Sequence, residues 1–178
     1  MLRALVNWVI SRQERRLGAP LHYLRDLADT SVAAVAKIGL AAPIGSHRKY
    51  LPKETWHLAR IAATHADDCG QCAQIAVNLA AQDGVAPDLL KLALIGDLDR
   101  LPLEHALAMR FAHDIAKGVD NEYLRARLTR IYGKAAFNEL ALAIATARLF
   151  PTLKRALGHA QSCSFVQVRA EKQDLVAA

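Results

Sequence analysis

Residues 65–76 read HADDCGQCAQIA. On a helix the spacing of Cys69 and Cys72 puts both sulfurs on one face, close enough to close a small disulfide ring. The one other cysteine of the chain is Cys163. Such a pair has three readings: a dithiol cycling with its disulfide, half of a metal site, or two small apolar side chains in a core. The thiolate is the reactive form of cysteine, and a helix N-terminus favours it through unpaired N–H groups and the helix dipole. Asp67 or Asp68 suits the N-cap of a helix over residues 69–82. That cap places Cys69 in the first turn and Cys72 one turn later. The two aspartates oppose a negative sulfur. Gly70 leaves the backbone between the cysteines unencumbered.

A zinc site needs four ligands, commonly from a second CxxC or a HxxxH, and the chain has neither. His65 as a third ligand and Cys163 or His159 as a fourth would require the tail to fold back. No metal and no cofactor is therefore expected. A redox pair needs a proton donor instead, and histidine serves that role near neutral pH. His57 and Thr64 are seven residues apart and share a helical face, with His65 within about 80° of His57. If a tight turn follows, this face lies along the cysteines. The candidate catalytic residues are Cys72, Cys69, His57 and His65.

The elements that must position these residues are helical. Apolar residues recur at helical spacing almost throughout, and no alternating stretch appears before the tail. Glycine and proline act as punctuation. The expected helices are 2–17, stopped by Gly18; a short one from Pro20 to Leu27; and a third capped by Asp29, Thr30 or Ser31 and ending before Pro43. After the loop IGSHRKYLPK come helices over 53–65 and 69–82, then one from Pro87 to Ile95 and one from Pro102 to Lys117. A helix capped by Asp120 runs to Tyr132, another spans 134–149, and a short last one begins at Pro151. HLARIAAT (57–64) and ELALAIAT (139–146) agree at four of eight positions, which is compatible with a duplicated helical unit. After Gly158 helical order is lost; Phe165, Val166 and Val168 are the tail residues that could dock.

The 178 residues suffice for one domain with a proper core. The expected division is an N-terminal helical extension at 1–40, a core domain at 41–160 and a tail at 161–178. Three cysteines do not make a secreted disulfide framework, so a cytoplasmic location is expected. The formal charge is +6, but the basic residues are spread along the chain without interleaved aromatics, so nucleic acid is not expected as a partner. The apolar run 4–10 is too short to span a bilayer, and no small-residue cleavage site follows it. Leu2, Leu5, Val6, Val9 and Ile10 share a helical face that suits docking on the body or on another subunit, with a membrane surface as the alternative.

Three stretches carry a family resemblance: LPKETWHLARIAATHADDCGQCAQIAVNLAAQDG, LPLEHALAMRFAHDIAKG and YLRARLTRIYGKAAFNELALAIATARLFPTLKRALG. Together they resemble the alkylhydroperoxidase D-like group of the carboxymuconolactone decarboxylase family, over residues 40–160. The resemblance implies an all-α, alkylhydroperoxidase D-like helical bundle of about eight to ten helices. It also implies a homo-oligomer: a dimer, trimer or hexamer. In the peroxidase branch the second cysteine attacks a hydroperoxide and the first resolves it to a disulfide, which a dithiol protein reduces. Carried over, Cys72 is peroxidatic and Cys69 resolving. Two positions depart from that branch: His57 stands where it has a glutamate, and Ala76 where it has a histidine. The implied activity is thiol-dependent hydroperoxide reduction or disulfide exchange with a histidine proton relay. The alternative is a non-catalytic member acting as a redox sensor or as a binder of a small ligand or partner. The decarboxylase branch generally lacks the cysteine pair, which makes its chemistry the less fitting one.

Overall fold

A computed structural model describes residues 2–67, 70–159, 166 and 168 of the chain. Among the described residues the protein is all-α, without a strand. In chain order the helices are α1 (Leu2–Leu17), α2 (His22–Thr30), α3 (Val32–Gly39), α4 (Ala41–Gly45), α5 (Lys53–Ala66), α6 (Gly70–Gln82), α7 (Pro87–Ile95), α8 (Leu103–Ala116) and α9 (Glu122–Ala156).

The core is built around α5. Alanine and other small residues line most of its circumference, so neighbouring helices approach closely on several sides. Ten of its residues are buried, from Thr55 to Ala66, the pattern of a helix enclosed all round rather than amphipathic. It packs most extensively on α8, and then on α6, α9 and α7. Leu58, Ile61, Leu90, Leu128 and Leu140 are fully enclosed in this cluster, each contributing about 1.5–3 kcal/mol by burial. Val166 and Val168 of the tail pack on the same cluster, half-buried; Phe165 lies outside the described residues.

A second cluster, of Ile10, Leu21, Tyr23 and Ala28, draws in Ile75 of α6 and Phe150 and Leu153 of α9. Residues 2–39 thus lie against α6 and the end of α9 of their own chain. Three amide side chains of α6 fasten this contact: Gln71, Asn78 and Gln82 donate to the carbonyls of Pro20 (2.6 Å), Leu17 (2.8 Å) and Arg16 (2.9 Å).

The third helix is capped by Ser31, one of the three expected candidates, whose hydroxyl accepts from Ala34 N. Other boundaries depart from the sequence expectation, each for a local reason. Pro43 does not end a helix; it sits in the first turn of α4, where its missing N–H has no partner to lose. Asn121, not Asp120, caps α9 by accepting from Leu124 N at 3.0 Å, while Asp120 pairs with Arg125. Gly133 adopts φ 82° and ψ 162°, so α9 is two helical stretches meeting at a kink that a side chain would strain. Pro151 lies inside the second stretch instead of opening a new helix.

Buried Glu139 of α9 fixes the loop that leads into α5. Its carboxylate accepts from the backbone N–H groups of Lys49 (2.9 Å), Tyr50 (3.0 Å) and Leu51 (2.9 Å). Burial alone would raise its pKa, but these three donors outweigh burial and hold it below the ordinary 4.5.

Candidate functional site

The site is the turn between α5 and α6. Cys72 lies in the first turn of α6 as described and is buried. Asp68 and Cys69 lie outside the described residues, as does Cys163, so the Asp68 cap, the Cys69–Cys72 pairing and a zinc set drawing on Cys163 lie outside them too. Among the described residues no group of three His, Cys, Asp or Glu side chains could hold a metal ion. His159 pairs with Asp26 of α2 at 2.7 Å.

Four cations, one from the C-cap of α8 and three from α9, converge on this turn. Lys117 Nζ donates to the carbonyl of Ala66 at 2.6 Å, and Arg155 donates to the carbonyl of Asp67. The end of α5 therefore has its free carbonyls met by positive groups, the favourable sign for a helix C-terminus. Arg148 Nε donates to the Asp67 carboxylate at 3.2 Å and its Nη1 to the Ile115 carbonyl at 3.3 Å. Lys154, only 3% exposed, donates to the side-chain oxygen of Gln71, the residue between Gly70 and Cys72, and lies 5.8 Å from the Tyr23 ring centre. Among the described residues, Asp67 is the only carboxylate paired with this cluster. Four positive groups are thus fixed around the turn from which α6 starts, alongside the Asp67 carboxylate.

The sequence-derived candidates separate in space. His65 is exposed in the last turn of α5, beside the cysteine motif. Thr64 is buried, and its hydroxyl donates back to Arg60 O and Ile61 O of its own helix. His57 is buried at 4% exposure and donates from Nε2 to Asp83 Oδ2 at 3.0 Å. α5 and α6 are joined by a short turn and run antiparallel, so the start of α5 lies beside the end of α6. Lys53 confirms the register by donating to the carbonyls of Asp83 and Gly84. Asp83 and Cys72 are about 16 Å apart along the helix axis, at the usual rise per residue. His57 therefore lies at the far end of α6 from Cys72, while His65 lies in the last turn of α5, before the turn into α6.

The His57–Asp83 pair has a defined charge state. Burial lowers the His57 pKa below 6.5, against the opposing pull of Asp83. The hydrogen bond from His57 is the main influence holding the Asp83 carboxyl below 3.8. A neutral imidazole, its proton on Nε2, donates to an ionised carboxylate, which also meets Arg48 at 3.4 Å. The T-shaped contact with Trp56 fixes the ring.

Ala76 is buried in the core cluster, one turn beyond Cys72. No side chain at that position can move a proton. Two other features lie apart from the motif. Thr55 Oγ1 is 3.0 Å from both His105 Nδ1 and the Tyr132 hydroxyl, and being fully buried it ties α5 to α8 and α9. An open groove of about 570 Å³ runs between Leu98, Leu103, Ala106, Arg110 and Tyr123, with no residue of α5 or α6 in its walls.

The cations around the turn were not singled out from sequence. The available signal was the order of RLFPTLKRALG: three basic residues in the last turns of an otherwise apolar helix, too many for a face that packs on α6. The internal echo acquires a local meaning: His57 and Glu139 both hold a neighbouring loop, and Thr64 and Thr146 both bond back to their own helices. No known protein family, curated protein or solved structure matches the chain.

Proposed function

We propose that the protein is a thiol-dependent oxidoreductase of alkylhydroperoxidase D-like type, reducing hydroperoxides or exchanging disulfides through Cys72 and Cys69. One observation carries this reading: Lys117, Arg148, Lys154 and Arg155 converge on the turn that presents Cys72 at the start of α6. Positive charge and a helix N-terminus act in the same direction on a nearby sulfur.

In the proposed cycle the Cys72 thiolate attacks the distal peroxide oxygen and the O–O bond breaks. Cys72 becomes a sulfenic acid, and the leaving alkoxide takes a proton from His65 or water to give the alcohol. The Cys69 thiol then attacks the Cys72 sulfur, its proton leaving with the displaced hydroxide as water, and the disulfide forms. A dithiol protein reduces that disulfide and is itself oxidised, consistent with a reducing, cytoplasmic setting. No cofactor enters this scheme. A homo-oligomer is part of the proposal through the family resemblance alone.

A second reading has its own support. Ala76 is buried where the peroxidase branch has a histidine, and His57 is committed to Asp83. Both favour a pair that senses redox state without turnover. Peroxide consumption with a dithiol reductant, compared across wild type, Cys69→Ser and Cys72→Ser, separates the readings. The enzyme reading expects turnover in wild type, none in Cys72→Ser, and a dimedone-trappable sulfenic acid in Cys69→Ser. Equal background rates in all three refute it, and a disulfide that forms on mild oxidation without turnover establishes the sensor.

A further inference from the structure

α1 leaves a large apolar surface uncovered. Its inner side packs through Val6, Ile10 and Leu17. On the outer side Leu2 is 64% exposed, Leu5 57%, Trp8 55% and Val9 44%. At 100° per residue these four occupy one sector, and Arg12 and Arg16 continue it through the last turns. The outward stripe is therefore apolar for two turns and cationic for the next two. Arg12 lies 5.9 Å from the Trp8 ring centre, bridging the halves. Exposed Arg15 flanks the stripe. The only acid of α1, Glu14, is turned away to Arg25 and to Leu21 N.

From this arrangement we infer that α1 is a docking surface for an anionic lipid bilayer. The exposed apolar area is on the order of 400 Å², about half of what each partner of a stable protein dimer contributes. A second copy meeting this stripe would also find no carboxylate on it to pair with Arg12 or Arg16. A bilayer interface accepts a smaller wedge: Leu2, Leu5 and Val9 enter the acyl boundary, Trp8 sits at headgroup level, and the arginines meet lipid phosphates. No helix among the described residues is long and apolar enough to cross a membrane, so the contact is peripheral.

Co-sedimentation of the full-length chain with vesicles tests this, comparing phosphatidylcholine alone with phosphatidylcholine–phosphatidylglycerol mixtures at low and high salt. The expected result is at least about ten-fold more bound protein on the anionic vesicles at low salt, lost at high salt. Leu5→Glu/Val9→Glu and Arg12→Glu/Arg16→Glu should each abolish the enrichment. Ile95→Glu, at a still more exposed apolar position on α7, should retain it. Circular dichroism confirms that the variants fold, since every altered side chain is at the surface. No enrichment on anionic vesicles, or binding that survives Leu5→Glu/Val9→Glu, overturns the inference. So does a change of oligomeric state in that variant by analytical ultracentrifugation, which assigns the face to a second copy of the chain.

Discussion

Replacing Glu139 by glutamine keeps the shape of the side chain and removes its charge. In the native protein one oxygen accepts from Lys49 N and the other from Leu51 N, with Tyr50 N lying within reach of both. A glutamine has one carbonyl oxygen, so its NH₂ group must face at least one of these donors. With the oxygen kept on buried Leu51 N, the donor left without a partner is the part-buried Lys49 N–H, at a cost of about 1–3 kcal/mol together with the fall of the remaining bonds from charge-assisted to neutral strength. The expected loss is about 1–3 kcal/mol, read as a lower urea midpoint at unchanged slope. The pH dependence gives an independent check. The folded-state pKa of Glu139 is lowered below its ordinary 4.5. Its ionisation therefore contributes stability that is complete above the unfolded value and is lost as pH falls through the folded one. The gap between wild type and Glu139→Gln should narrow as pH falls below about 4.5. A glutamine variant within about 0.5 kcal/mol of wild type at pH 7 would refute the reasoning.

The His57 ring should titrate by NMR below its ordinary 6.5, and lower still in Asp83→Asn, which removes the two influences that raise it; an upward shift contradicts the assigned geometry. Stability carried by this histidine is complete above pH 6.5 and declines as pH falls toward the lowered folded value. Lys154→Met replaces a buried cation with an apolar chain of similar length, and alkylation of Cys72 by iodoacetamide near neutral pH should slow by about three-fold or more. Lys154→Arg should stay close to wild type, and equal rates in all three proteins would remove the cation cluster from the argument. Ala76→His inserts a large ring into a packed helix interface and should cost about 1–3 kcal/mol without raising peroxide turnover; a faster, equally stable variant would show that space and access exist there.

Helix existence was legible because it rests on local chemistry. Gly96 and Pro87 bound α7 where the chain pattern puts them, and Ser31 caps α3. What escaped depended on partners distant in sequence. His57 and Thr64 do share a buried face, as their spacing requires, but periodicity says nothing of which end of α6 that face meets. The antiparallel turn decides it, and it delivers His57 to Asp83. The cations that meet the α5–α6 turn come from residues 117–155, and although their basic types are visible in the sequence, the partners they reach are set by tertiary packing. Pro43 and Pro151 read as boundaries because proline usually is one; first-turn tolerance at Pro43 and the packing of α9 prevailed at Pro151.

The two histidines give the most discriminating comparison for the proposed chemistry. A positioned general acid contributes about 10²–10⁴-fold, but His65 is exposed and shares its role with water. His65→Ala should therefore lower kcat by about ten-fold, with KM nearly unchanged. His57→Ala should leave kcat within about two-fold, yet destabilise the fold by about 1–3 kcal/mol through the cavity it leaves and the partner it takes from Asp83. The opposite pattern, a collapse of kcat in His57→Ala at unchanged stability, would refute the assignment. Within one chain Asp83, the partner of His57, lies about 16 Å along the axis of α6 from Cys72, so that result would require the imidazole to reach the thiol across an interface from another copy. Mixing His57→Ala with Cys72→Ser would then restore activity, whereas the geometry within a single chain expects that mixture to remain no more active than its His57→Ala component.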